Sequence, residues 1–366
     1  MKQMTPQLNL LTELCSIPTA PFAEHRVLDW IDHFAAANQM RLSKDRFGNR
    51  LLEIGPASSR PRLVFVAHTD HPGMVAEGML DRTTLRARFH GGVLSSFVVG
   101  SKVRFFADNE EVAGHITRVT RTSDRADFPA EVAVRVAAPV AAGSVGMFDQ
   151  GTGRTKSGRF YSRVCDDLAG AAAVLAAMQR VQRRKLRTSV CALLTRAEEE
   201  GFIGAIAAVK DKSLLRANDR LISVECSAVQ PYARQGNGVI LRVGDRISIF
   251  NSAFSYWISQ QCEALAKEDR SFTWQRSLMP GGACEGTVFD INGYCSAAMC
   301  VPLGNYHNMN RATGKIGPEY IDLNDWKNEV KAFVRLAEHA HEVDMTFASL
   351  RARLDKRFKG LKKLLR

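Results

Sequence analysis

Residues 63–75 read LVFVAHTDHPGMV. The first four are a plain apolar run of the kind that fills a buried strand. The run ends in His68, Thr69, Asp70 and His71, side chains that are costly to bury unless something pairs with them. Pro72 and Gly73 then turn the chain away. In an extended segment residues two apart share a face, so His68 and Asp70 point together and His71 points to the other side. The stretch therefore reads as a core strand that delivers polar side chains to the edge of a sheet. His71 is expected to take a structural or rim role.

Working outward, Val27, Leu28, Ile31 and Phe34 fall on one helical face. From about residue 75 to 160 short β-like runs appear at 85–89, 102–106, 112–119 and 131–136, separated by glycine and aspartate turns, which predicts a small all-β module. Beyond 160 the pattern alternates. Helices are expected at 168–181, 201–209, 252–267 and 285–291, and strands at 189–194, 221–224, 272–275 and 295–301. A long closing helix follows at 322–343, capped by Asp322 or Asn324. Such alternation predicts a layered α/β domain with a largely parallel sheet, interrupted by the β module. The expected domains are 1–74 with 158–345, an insert at 75–157, and a basic C-terminal helix or tail at 346–366.

The chain has 366 residues, of which 45% are hydrophobic and 24% charged, enough for a sizeable core. No apolar run is long enough to span a membrane. The N-terminal segment carries Glu13 inside its apolar part and reads as a first helix rather than a signal peptide, so a cytoplasmic protein is expected. Eight cysteines are scattered without a C-x-x-C pair, which argues against a zinc ribbon and against structural disulfides. The net charge is +12, and the C-terminus holds much of it: Arg351, Arg353, Lys356, Arg357, Lys359, Lys362, Lys363 and Arg366 against Asp355 alone. A solvated amphipathic helix is expected there, with Leu350, Leu354, Phe358 and Leu361 on one face; nucleic-acid or anionic-surface binding is the alternative. Neither a membrane nor a nucleic-acid partner is expected, since no nucleic-acid motif accompanies the charge.

In sheets of this kind function gathers at the carboxyl ends of strands. After the first strand come His68 and Asp70; before the alanine-rich helix come Asp166 and Asp167; after 189–194 come Glu198 and Glu199; after 221–224 comes Glu225; after 295–301 comes His307. Each alone has a plain reading, as a hydrogen-bonded histidine, a helix cap or a solvated first turn. Five such placements on one edge point instead to metal binding. Two histidines and several carboxylates suit zinc, cobalt or manganese. The carboxylates are too many for one tetrahedral zinc and suit two ions bridged by one of them.

The order and spacing of these landmarks resemble the M42 family of dinuclear-metal aminopeptidases, the glutamyl aminopeptidase and TET peptidase group, over roughly residues 8–345. The landmarks are His68-Thr69-Asp70, Gly146-Met147-Phe148-Asp149, Cys165-Asp166-Asp167-Leu168-Ala169-Gly170, Glu198-Glu199-Glu200-Gly201, Gly281-Gly282-Ala283-Cys284-Glu285, and Val301-Pro302 with His307. The resemblance implies a layered α/β/α zinc-peptidase-like catalytic domain with an inserted small, PDZ-like β-barrel. It implies two divalent ions, zinc foremost and cobalt or manganese as alternatives, with His68 and Glu225 on one, Glu199 and His307 on the other, and Asp166 bridging. Glu198 would be the general base, Asp70 the catalytic partner that orients His68, and Glu285 a reader of the substrate amine. A cis peptide is implied at Asp166–Asp167. Peptides would be the substrates, and a homo-oligomer would form through the β insert. The chain departs from the family pattern at Leu168, where arginine is usual, at Glu225 and Glu285, where aspartate is usual, and at residues 305–308. These changes bear on substrate preference and assembly. Arg163, Arg196 and Arg276 lie near the motifs in sequence; ordinary surface or ion-pair roles are expected of them before any selection of acidic side chains. The competing readings are a deacylase or carboxypeptidase of the wider clan, and a pseudo-peptidase that binds without cleaving. A glycosidase would need a spaced carboxylate pair without metals.

Overall fold

The alternating segments fold around one large sheet, and the β-textured segment closes on itself beside it. The structure, a computed structural model, describes residues 6–57, 60–107, 110–124 and 127–365. The chain begins with α1 (Pro6–Leu14), α2 (His25–Ala37), β1 (Arg41–Lys44), β2 (Arg50–Ile54) and β3 (Leu63–His68). Next come β4 (Gly73–Met79), β5 (Thr84–His90), the single turn α3 (Ser95–Val98), β6 (Lys102–Phe106), β7 (Glu111–Thr122), β8 (Pro129–Val136) and β9 (Val145–Phe148). The chain returns through β10 (Arg154–Lys156), β11 (Arg159–Ser162), α4 (Leu168–Val181), β12 (Val190–Thr195), α5 (Ile203–Asp211), β13 (Arg220–Ala228) and β14 (Val239–Gly244). It continues with α6 (Ser252–Glu268), β15 (Trp274–Leu278), α7 (Glu285–Ile291) and β16 (Cys295–Gly304). It ends with β17 (Met309–Asn310), β18 (Lys315–Ile316), β19 (Glu319–Asp322), α8 (Leu323–His339) and α9 (Ala348–Leu361).

The large sheet runs β1-β2-β12-β3-β13-β16-β19-β11-β10, with β14 also on β16 and β15 on β14. It is parallel at its centre, through β12, β3, β13 and β16, and between β14 and β15. Its flanks are antiparallel, which corrects the expectation of a largely parallel sheet. Two of the antiparallel pairs, β1–β2 and β10–β11, are set by short connections. β10 and β11 are joined by Ser157 and Gly158 alone, both at positive φ (49° and 77°), and a two-residue loop permits only antiparallel pairing. The strand expected at 272–275 runs instead at 274–278, because Asp269 accepts from the Phe272 and Ser271 amides and holds a turn there.

β3 is buried along its whole length, and its alternating faces feed two cores. Leu63, Phe65 and Ala67 join the core that contains α4 and α8, whereas Val64 and Val66 join Val209 of α5 and Phe289 of α7. The result is a helix–sheet–helix sandwich. α4 is apolar on all sides and almost wholly buried, as a helix between a sheet and a second helix layer must be. α8 starts on the expected cap: Asp322 accepts from the amides of Asn324 and Asp325 at 2.8 and 3.2 Å. At the opposite end of the strands from His68, Arg62 donates to Asp219 at 2.9 and 2.6 Å and ties the starts of β3 and β13 together.

β4 to β9 form a closed barrel in the order β4-β5-β8-β7-β6-β9. Its core includes Leu85, Phe89, Phe105 and Val134, and Met309 of the β17–β18 hairpin inserts into it. The barrel is thereby fastened to the loop that carries His307. All eight cysteines are free, seven of them buried. Among the described residues no helix is long and apolar enough to cross a membrane.

Candidate metal centre

β3 and β12 end level, with Thr195 opposite His68, and Glu225 lies two residues beyond Ser223, where the β13–β3 pairing stops. The parallel strands therefore release His68, the 196–200 turn and Glu225 at one edge. Asp166 arrives from the loop before α4, and His307 from the loop after β16. The structure brings all five expected ligands together. Donor atoms of His68, Asp166 and Glu225 lie within 4.8 Å of one another, as do those of Asp166, Glu199 and His307. These two groups of three share Asp166, and His68, Glu198 and Glu199 form another that links them without it. Within them, His68 Nε2 is 3.6 Å from Asp166 Oδ1, and His307 Nε2 is 3.1 Å from Glu199 Oε1 and 4.0 Å from Asp166 Oδ2.

Glu198 is buried, with Oε2 4.0 Å from His68 Nε2. Burial first, and then the carboxylates of Glu225, Glu199 and Glu285, push its pKa well up. Glu225 is raised to about 8 mainly by burial. Burial opposes the charged forms of the two histidines, but the acids around them win. Glu198, Asp166 and Asp70 raise His68 well above its ordinary value, and Glu199 and Asp166 raise His307 to about 9. Asp166 moves the other way despite its burial, because the two histidines favour its charged form.

These donors suit divalent cations. Four carboxylates, Asp166, Glu198, Glu199 and Glu225, crowd two imidazoles, and Glu225 Oε1 is buried without a hydrogen-bond partner. An orphaned buried carboxylate oxygen is expensive unless a cation meets it. Asp166, Asp167 and Cys226 form a further buried group. There burial, and then Asp167 and Asp166, push the Cys226 thiol well above its ordinary pKa.

The supports around the donors are specific. Asp70 accepts from the Glu198 and Glu199 amides, both at 3.0 Å, while its Oδ1 faces His68 Nδ1 at 3.5 Å. Its carboxylate therefore fixes the glutamate turn as well as the histidine. His71 braces the loops: Nδ1 meets the Asp166 carbonyl at 2.8 Å and Nε2 meets Asn308 Oδ1 at 3.0 Å. The Gly92 carbonyl, from the barrel, meets His307 Nδ1 at 2.9 Å, which leaves Nε2 facing the donors. The Asp166–Asp167 peptide is cis. Gly170 admits no side chain, since a Cβ there would stand 2.2 Å from Asp167 Oδ1.

Two supports were not expected from the sequence. Glu319, fully buried, accepts from the amides of Cys165, Asp166 and His307 at 2.7, 3.1 and 2.8 Å. One carboxylate thus holds two of the three segments that meet in the second group. Glu24, also fully buried, accepts from Ala197 N at 3.0 Å and from Arg196 at 2.8 Å. It secures the turn in which Ala197 and Phe202 take left-handed backbone angles. Neither carries a signal in the sequence, because the burial of each acid shows only in the structure.

Glu285 is fully buried beside these groups, and its carboxyl oxygens have no hydrogen-bond partner. Burial pushes it up to about 7. Arg196 serves the Glu24 pair, and Arg163 lies over the Phe106 ring at 4.6 Å. Arg276 lines a cavity with Trp274 and Phe250. A cavity of about 340 Å³ opens against the centre, between barrel and sheet edge, lined by His90, Gly91, Gly92, Phe128, Glu199 and Glu200. His90 Nδ1 meets Glu200 Oε1 at 2.9 Å across it.

The chain resembles several solved structures. The Pyrococcus horikoshii TET1 peptidase, described as assembling into a tetrahedron or a large octahedral shell, superposes with a TM-score of 0.75 at 20% identity, over 90% of this chain and 99% of that one. An aminopeptidase from the archaeon Desulfurococcus kamchatkensis superposes with a TM-score of 0.75 at 19% identity, over 91% and 94%. A Thermotoga maritima structure described as an endoglucanase superposes with a TM-score of 0.66 at 20% identity, over 91% and 98%. At these identities the shared property is the fold. Comparison with curated proteins finds no match. The family model described as M42 glutamyl aminopeptidase matches residues 48–315, most of the chain and all of the ligand positions, and the chain belongs to that family.

Proposed function

We propose that the chain is a metal-dependent aminopeptidase that removes N-terminal residues from peptides at a pair of divalent ions. One observation carries the reading: the groups His68–Asp166–Glu225 and Asp166–Glu199–His307 share a single carboxylate, the arrangement that two adjacent cations require. Bound there, the cations would activate a water molecule and polarise the reacting carbonyl. Zinc suits the mixture of imidazole and carboxylate; cobalt and manganese are the alternatives.

The protein's own part is positioning and proton transfer. Glu198 stands at the edge of the cluster, where its carboxylate takes the proton from the attacking water and passes it to the leaving amine. Asp70, through the two amides it holds, keeps Glu198 and Glu199 aimed inward. The cavity beside Glu199 is the place for the peptide. The fold shared with a structure described as an endoglucanase does not favour sugar hydrolysis, because the acids here interleave with two histidines rather than standing as a separated pair. Eight free thiols suit a reducing compartment such as the cytoplasm. A homo-oligomer held by the barrel accords with the shells described for the TET1 peptidase.

The test is activity after chelation, with zinc, cobalt or manganese returned in turn. Release of p-nitroaniline from aminoacyl-p-nitroanilides is expected. Glu198→Gln should keep its metal and lose about 10²–10⁴-fold in rate. Cleavage of N-acyl amino acids alone would assign a deacylase instead. Silence with every metal would leave a pseudo-peptidase, and near-normal turnover by Glu198→Gln would remove that residue from its role.

A further inference from the structure

The C-terminal helix takes no part in the centre just described. Residues 351–365 are all exposed, yet the root of the helix is fixed. Asp344 accepts from Thr346 N and Ala348 N at 2.8 and 2.7 Å, the Phe347 ring packs on Tyr256 with centroids 5.6 Å apart, and Gln260 donates to Ser349 Oγ at 3.2 Å. α9 therefore stands out from the body on a defined base.

Its apolar side chains share one side of the helix, with cations close on either flank. At about 100° per residue, Leu350, Leu354, Phe358 and Leu361 fall within an arc of roughly 80°. Leu354, Phe358 and Leu361 are 55%, 59% and 48% exposed. On the same count Arg353 and Arg357 border one side of the arc, and Arg351 and Lys362 the other. Lys356 and Lys359 cover the back, with Asp355 the lone acid of the helix. Among the described residues none of these cations meets a carboxylate of the body.

We propose that α9 is an interfacial helix that lays the protein against an anionic phospholipid bilayer, a partner the sequence reading did not expect. The occupant must satisfy two features at once. Nucleic acid would neutralise the cations but bury none of the apolar arc. The α9 of a second copy carries the same surplus of positive charge and would repel it. A bilayer with anionic headgroups does both: the acyl boundary takes the leucines and the phenylalanine, while the flanking Arg and Lys stems snorkel to the phosphates. The helix is too short and too charged to cross, so it lies in the plane. With a whole-chain charge of +12 and a tail surplus of seven, the rest of the protein is also positive and does not oppose the approach. Each Lys or Arg held near such a surface strengthens binding roughly fivefold.

The experiment is co-sedimentation of the full chain with vesicles of phosphatidylcholine, alone or with about one part in three of phosphatidylglycerol, at low and high salt. Binding is expected to the anionic vesicles only, and to weaken with salt. The double variant Leu354→Ser, Phe358→Ser leaves every charge in place and touches only exposed positions. It should bind at least about tenfold more weakly while keeping the particle mass of the parent. Equal binding to both vesicle types, or to neither, would overturn the proposal. So would a double variant that binds like the parent, which would point to a purely electrostatic partner. A change in particle mass for that variant would assign the stripe to contact between copies and overturn it as well.

Discussion

Asp166 sits where two groups of donors overlap, and its neighbours show how much of such a centre can be read in advance. His68, Glu199, Glu225 and His307 were visible in the sequence because each is a polar residue just after an apolar run, where a strand must end. Glu319 was not, because Gly317-Pro318-Glu319-Tyr320 looks like an ordinary turn into a short strand; its three amide contacts join segments about 150 residues apart. A residue that holds backbone in place leaves no mark at its partners' positions. Replacing it should act on the ligands it holds. Glu319→Ala is expected to weaken metal affinity by about 10–100-fold, measured by competition with a chromophoric chelator. Unchanged affinity would reduce Glu319 to a general fold-stabilising residue.

At the scale of elements, the parallel centre of the sheet was legible and its flanks were not. β3, β12, β13 and β16 are apolar runs, buried throughout or nearly so, and such runs announce themselves. β1 and β10 read RLSK and RTK and are mostly exposed, so periodicity has nothing to detect; pairing with a neighbour makes them strands. The metal edge is one end of the parallel strands, and the other end has its own fastening. Arg62 and Asp219, 4% and 0% exposed as side chains, form a two-point pair there at 2.6 and 2.9 Å. Asp219→Ala would leave the buried guanidinium with only its longer carboxylate contact, at 3.7 Å, to Glu53. It should cost about 3–5 kcal/mol of stability by denaturant unfolding. A loss below about 1 kcal/mol, the range of an exposed pair, would show that water reaches Arg62.

Across the whole molecule, the insert was legible as a change of texture, from helix-spaced to strand-spaced apolar residues. Its closure into a barrel came from the family resemblance and not from that texture, because closure depends on β4 and β9 meeting. Nor did the sequence show that the barrel reaches back, with the Gly92 carbonyl on His307 and Met309 seated in the barrel core. The barrel thus braces His307, and in the proposed assembly it would also be the contact between copies. Light scattering should give a mass several times that of one chain, and a strict monomer would contradict that assembly. The metal pair itself is tested most directly by elemental analysis of the purified chain and of its Asp166→Ala variant. The account predicts two divalent ions per parent chain and the loss of both when the shared carboxylate is removed. A parent that binds no such ion, or a variant that keeps both, would contradict it.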